Sequence, residues 1–405
     1  MGNYRFHTPD GVSDTLPGDC LAKRGFETKL RGLFSSAGYQ EIETPGIEYY
    51  DVYAAGNFVS QENLYKLADQ EGRILALRYD GTVSAARLAA TVFREVQPPL
   101  RLSYVGNMFR FRESGGGRQK EFTQAGVELL GVSSTEADAE VIALAISSAL
   151  ALGISDLQIS LGQVEFFKGL MEEWGVPAED AEEISREVDQ KDQVALKKAA
   201  DRLALRDDAR ETLLLLSSLY GTYEPLEILE KRVTGERARA ALQNVREILG
   251  ILEDYGYIRY VSVDFGMLRS LDYYTGMIFK GFTYEVGFPI ISGGRYDQVV
   301  SAFGRDLSAV GFSLGINLAM IALRRQGREF PAAGADAIIG YSKEPNMRKA
   351  ALSMADSLRE EGLNVIVDCA GCGEEELETL ADLRGIEQVI FLNASSCGCD
   401  TEEKI

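Results

Sequence analysis

The run MFRFRESGGGRQKEFTQAGVE, residues 108–128, sets the architecture of this chain. It begins inside an alternating stretch, Leu100 to Arg112, turns through Gly115-Gly116-Gly117 and returns as Lys120 to Leu130. Glycines impose no Cβ and suit a flexible turn, so the spacing predicts two antiparallel strands. Side chains an even number of residues apart on a strand share a face. Gln124 and Glu128 therefore project together, and Arg110 converges on them across the pair. A cation, an amide and a carboxylate on one sheet face suit a small zwitterion. By itself the same pattern fits a solvated polar sheet face better.

Working outward, Leu21 to Ser36 has helical spacing, and Ile42 to Tyr50 reads as strand broken by Pro45. Arg73 to Tyr79 is a short strand, and Gly81 to Val96 a helix stopped by Pro98 and Pro99. Glu136 to Leu152 is an alanine-rich helix. Residues 165 to 255 carry helical periodicity throughout and read as an insertion. Strands resume at Ile258 to Asp264, Met277 to Gly287 and Pro289 to Ser292, and Val310 to Leu323 reads as a buried strand-to-helix pass. After a linker at Arg324 to Arg328 the pattern alternates strand (Ala337 to Tyr341), helix (Asn346 to Glu361), strand (Asn364 to Asp368), helix (Glu374 to Leu383), strand (Gln388 to Leu392). That alternation predicts a small α/β domain with a parallel sheet. The expected fold class is α+β, with a core over 1–328 and a C-terminal domain over 329–405.

With 45% hydrophobic and 26% charged residues over 405 positions, the chain has the balance of a soluble globular protein. No apolar run approaches the roughly 18 residues of a membrane span. The N-terminus lacks the apolar core of a signal peptide, which makes a cytoplasmic setting the expectation. A net charge of -20 repels phosphate backbones. His7 is the only histidine, which argues against imidazole triads and histidine metal clusters. Cys369, Cys372, Cys397 and Cys399 form C-x2-C and C-x-C near the C-terminus. In a cytoplasmic chain these raise zinc or redox chemistry, or are simply part of a loose tail.

Two further segments carry chemistry. Arg269-Ser270-Leu271-Asp272-Tyr273-Tyr274-Thr275-Gly276 sets a tyrosine pair beside an arginine, able to stack on and hydrogen-bond a planar ring. Ser292-Gly293-Gly294-Arg295-Tyr296-Asp297 has glycines that permit close backbone approach. Each is weak alone.

Together, these segments resemble the histidyl-tRNA synthetase family of class II aminoacyl-tRNA synthetases. TPDGVSDTLPGD resembles its N-terminal segment, GYQEIETPGIEY its motif 1, LRYDGT its LRPEGT element and residues 108–128 its motif 2. RSLDYYTG resembles its histidine-specific RGLDYYTG element, and SGGRYD and AVGFSLG the approach to motif 3. The resemblance implies an antiparallel sheet flanked by helices. It also implies a histidine pocket made by Asp80, Thr82, Arg110, Gln124, Glu128, Arg269, Tyr273 and Tyr274. Asp80, Thr82 and Gln124 would orient the α-ammonium, Arg269 the carboxylate, and Glu128 and Tyr274 the imidazole.

The nucleotide side departs from that family. Where its motif 3 reads GFAIGLERL this chain reads GFSLGINLA, so Asn317 and Leu318 replace the glutamate and the arginine that stacks on adenine. Leucine supplies neither charge nor cation–π contact. Arg112 stands where motif 2 has a glutamate, with Glu113 displaced by one, while the loop arginine is kept as Arg118. From Pro331 to Ile405 there are 6 Lys or Arg against 15 Asp or Glu, a poor surface for an anticodon. A synthetase relative that keeps the amino-acid pocket and loses the ATP and tRNA features resembles the regulatory subunits of ATP phosphoribosyltransferase. That likeness implies a non-catalytic chain without cofactor or metal. Its partners would be a short-form catalytic subunit and free histidine, with a homodimer implied by motif 1 and no tRNA. Rival readings are a working histidyl-tRNA synthetase, a histidine-adenylating relative, and a binding module for another small ligand.

Overall fold

The two ten-residue strands Leu100–Phe109 and Glu121–Leu130 pair antiparallel along their whole length, from Leu100 opposite Leu130 to Phe109 opposite Glu121. They lie within a nine-stranded sheet in a computed structural model that describes residues 4–54, 56, 58–112, 119–268, 273–330 and 334–395. From Leu100–Phe109 the order runs through Glu121–Leu130, Ala309–Gly315, Ile291–Arg295 and Met277–Phe282 to Gln158–Gln163, and every pairing among these is antiparallel. The flanks are mixed. Gln40–Glu41 joins one side in parallel, while Val261–Asp264 joins the other in parallel and then pairs antiparallel with Tyr220–Gly221. Helix Thr135–Leu152 packs on this sheet and buries twelve of its residues. Ser134 caps its start and Gly153, at φ +93°, its end.

The expected elements mostly appear, with shifted bounds. Helix Gly81–Ala90 ends six residues before the expected Val96, because the Arg305 guanidinium takes the carbonyls of Ala89, Phe93 and Val96 and holds the chain in turns there. Residues around Pro45 do not form one strand. Gln40–Glu41 joins the large sheet, and Ile47–Tyr49 joins a separate three-stranded sheet with Ile74–Leu77 and Lys66–Ala68. Ile258–Tyr260 is a 3-10 turn before the strand Val261–Asp264. The strand expected at Pro289 to Ser292 runs Ile291–Arg295 and takes in Gly293 and Gly294. Gln158–Gln163 is a strand that periodicity did not predict, since Gly162 and its polar residues blur the alternation.

The insertion is helical across Val164–Glu173, Ala178–Asp189, Gln193–Arg202, Asp207–Leu216, Glu224–Leu229 and Glu236–Asp254, interrupted by the short strand Tyr220–Gly221. The chain divides into two units, Met1–Thr15 with Ala22–Glu329 and Leu16–Leu21 with Phe330–Ile405. The second carries a parallel sheet in the order Val365–Val367, Ala337–Tyr341, Gln388–Leu392, with helices Met347–Glu360 and Glu374–Arg384. Among the described residues no helix is long and apolar enough to cross a membrane.

Candidate functional site

The antiparallel centre builds a floor, and neighbouring segments build walls on it. Glu128 lies opposite Leu102 on one side and Gly311 on the other. A Cβ at Gly311 would fall 1.9 Å from the Glu128 carboxylate, so only glycine lets that carboxyl lie against the next strand. Likewise a Cβ at Gly294 would fall 2.7 Å from the Tyr274 ring, and its absence lets the ring lie on the sheet. Above this floor is a cavity of about 340 Å³ lined by Asp80, Thr82, Arg110, Tyr273, Tyr274 and Tyr296, with Phe58, Tyr79, Ser292, Gly293, Gly311, Phe312 and Ser313 completing it.

Asp80 enters from the start of helix Gly81–Ala90, whose N-terminus it caps by accepting the Val83 N–H at 3.0 Å. Burial raises its pKa, opposed by the Val83 N–H and the Arg110 charge. The Arg110 guanidinium lies 4.7 Å over the Tyr79 ring and 4.9 Å over Phe122. Tyr273 and Tyr274 meet edge to face at 4.9 Å, and Tyr273 tilts against Tyr296 at 5.8 Å, an aromatic wall for a flat ring.

Glu128 lies fully buried at the base. It accepts from the Tyr104 hydroxyl at 3.3 Å, from the Tyr296 hydroxyl in a shorter contact, and from Thr82. Burial pushes it up to about 8, and those three hydroxyls only partly offset that. The carboxyl is thus a proton-holding group behind a ring-sized space.

Gln124 lines a neighbouring chamber of about 140 Å³ that shares Arg110, Ser292 and Ser313 with the first. The residue is 6% exposed, and its Oε1 has no hydrogen-bond partner among the described residues. Leu318 and Asn317 form part of that chamber's wall. The Asn317 amide accepts the Thr123 N–H at 2.8 Å and donates to Gln119 at 3.2 Å, tying helix Ile316–Arg325 to strand Glu121–Leu130. Arg112 does not follow the pleat of a strand as expected. The strand ends at Phe109, and Arg112, in a turn, pairs with Glu62 on the surface.

Asp80, Thr82, Arg110, Tyr273 and Tyr274 therefore share one cavity, with Glu128 beneath it and Gln124 next door. Arg269, Arg118, Glu113, Cys397 and Cys399 lie outside the described residues. Sequence reading passed over Tyr104 and Tyr296. Tyr104 was legible, being an even number of residues from Arg110 on one strand. Tyr296 follows Arg295 in the same short motif, yet the two part company. Arg295 turns away to a buried pair with Asp138.

This fold and pocket define a protein of the class II histidyl-tRNA synthetase type, and the histidyl-tRNA synthetase family model matches residues 11–318. An ATP phosphoribosyltransferase regulatory subunit of Acetivibrio thermocellus is 47% identical over 391 residues, covering 96% of this chain and 93% of its own. A crystal structure of an ATP phosphoribosyltransferase regulatory subunit/histidyl-tRNA synthetase from Bacillus halodurans matches with TM-score 0.87 and 31% identity over 96% of this chain and 99% of that one. A histidyl-tRNA synthetase from Nostoc sp. shares the fold, with TM-score 0.83 and 21% identity over 97% of this chain and 93% of that one. The chain belongs to the family of ATP phosphoribosyltransferase regulatory subunits.

Proposed function

We propose that this chain is a histidine-sensing, non-catalytic subunit of an ATP phosphoribosyltransferase complex. It serves a short-form catalytic subunit in histidine biosynthesis, supporting its activity and carrying histidine feedback. The names of its relatives support the partnership. The observation that carries the rest is the contrast between two adjoining chambers. One holds the Asp80 carboxylate and an aromatic wall over Glu128. The other has Leu318 where adenine stacking needs a guanidinium and Asn317 engaged with backbone. Arg269 completes the proposed set by taking the histidine carboxylate. Regulation then requires histidine to bind with different free energy in the active and inhibited complexes.

The test mixes the chain with a short-form phosphoribosyltransferase. Co-purification and an activity that appears in the mixture and falls on adding histidine are the expected results. Absence of any complex sinks the reading. ATP–pyrophosphate exchange in the presence of histidine is expected to stay at background, and a clear exchange signal would instead make the chain a synthetase or histidine-adenylating relative.

A further inference from the structure

Cys369-Ala370-Gly371-Cys372 joins strand Val365–Val367 to helix Glu374–Arg384, and the amino-acid pocket uses none of it. The four residues wrap around one side chain. The Asp368 carboxylate accepts the N–H groups of Ala370 at 3.0 Å and of Gly371 and Cys372 at 2.8 Å, and the Cys372 thiol hydrogen-bonds the same group. The chain bends at Ala370, and Gly371 stands at φ +75°, in the left-handed region that favours glycine. Disulfide-linked Cα atoms stand roughly 4.4–6.8 Å apart, and the bend at Ala370, gathered on Asp368, draws the two cysteines of this C-x2-C toward that span.

The two thiols are unlike. Cys369 is exposed, whereas Cys372 is half-buried and packs on the cluster of Ile338, Leu377, Ala381 and Ile386. Burial, then the Asp368 charge, push the Cys372 thiol up. Burial of Asp368 itself is outweighed by the three N–H groups, which hold its carboxyl below the usual range. Cys372 thus waits protonated beside an ionised carboxylate while Cys369 faces solvent. An accessible first thiol and a shielded second one, at a strand–helix junction of a parallel α/β unit, suit dithiol–disulfide exchange. No group of three Cys, His, Asp or Glu able to hold a metal occurs among the described residues.

We propose that Cys369 and Cys372 form a reversible dithiol–disulfide pair, a redox-modification site apart from the amino-acid pocket. The Cys369 thiolate attacks one sulfur of a small-molecule disulfide, forming a mixed disulfide and releasing one thiolate. Cys372 gives its proton to water, attacks the Cys369 sulfur and expels the second thiolate. Two protein thiols are oxidised, and one disulfide is reduced to two thiols. The product ties the end of strand Val365–Val367 to the start of helix Glu374–Arg384.

The full chain is reduced, freed of reductant and exposed to glutathione disulfide. Peptide mapping is expected to find Cys369 linked to Cys372, and dithiothreitol to restore both thiols. In Cys372→Ser a glutathione adduct accumulates on Cys369. In Cys369→Ser the adduct at Cys372 forms several-fold more slowly, because that thiol is half-buried and pushed up by burial and the Asp368 charge. Asp368→Asn moves the pH profile of ring closure to lower pH. Linkage of Cys369 to Cys20, Cys397 or Cys399 overturns the proposal, as does a wild-type chain that stops at the Cys369 adduct. Equal adduct rates in the two serine variants overturn the assignment of Cys369 as attacker. An unmoved pH profile in Asp368→Asn removes Asp368 from the mechanism.

Discussion

Glu128 carries two testable consequences of its burial. The folded protein holds its proton up to about pH 8, against an ordinary value of 4.5, so between those values the folded state binds more protons than the unfolded chain. Stability therefore falls as pH rises through that window. Asp138, raised to about 6 by burial against the lowering charge of Arg295, contributes only to the acidic part. Asp80 and Asp264 are raised as well, so the diagnostic is a difference between proteins. Glu128→Gln, which keeps the shape without the titration, is expected to flatten the fall in Tm between pH 6 and 8. A melting series as steep as that of the parent refutes the assignment. Glu128→Ala is expected to weaken histidine on the order of 100-fold, the cost of a lost buried partner. Calorimetry giving equal affinity for parent and variant removes Glu128 from ligand recognition.

Among elements, the strand Ile291–Arg295 does two jobs through neighbouring residues. Tyr296, just past its end, turns its hydroxyl to Glu128. Arg295 anchors the strand to helix Thr135–Leu152, reaching Asp138 at 2.6 and 3.0 Å and the Val132 carbonyl at 3.1 Å. The Arg295 and Asp138 side chains are 8% and 4% exposed. Removing one partner leaves a buried charge uncompensated. Arg295→Ala is accordingly expected to lose about 3–5 kcal/mol in urea unfolding, and a loss under about 1 kcal/mol contradicts that anchoring role. The Asn317 link between helix Ile316–Arg325 and strand Glu121–Leu130 is neutral bonding where the synthetase pattern has a charged residue.

For the whole molecule, a ligand bound only by the folded state raises its apparent stability, by about 2.7 kcal/mol at a hundred times its Kd. Free histidine is expected to raise the Tm of the isolated chain, and no shift at millimolar histidine counts against the pocket. The small three-stranded sheet presents Ile47, Tyr49 and Leu67 on one face, 50%, 52% and 43% exposed. An apolar face of that kind on a protein of net charge -20 is a candidate contact for the homodimer that the motif 1 resemblance implies. Tyr49→Asp is expected to shift the sedimenting species from dimer to monomer. An unchanged sedimentation coefficient places any dimer contact elsewhere.

From sequence alone, the order of motifs determined the family scaffold, the antiparallel strand pair and the aliphatic Leu318 on the nucleotide side, because periodicity, glycines and residue types are local properties. The alternating C-terminal pattern likewise predicted its parallel sheet. Tertiary structure alone decided that Glu128 lies under Gly311 with Tyr104 and Tyr296 as its partners, that Gln124 lines a second chamber, and that Arg112 leaves the strand for Glu62. Those outcomes depend on which distant segments register side by side and what they exclude from water. The proton on Glu128 follows from that desolvation, a quantity set by every wall of the cavity at once and by no residue in the chain individually.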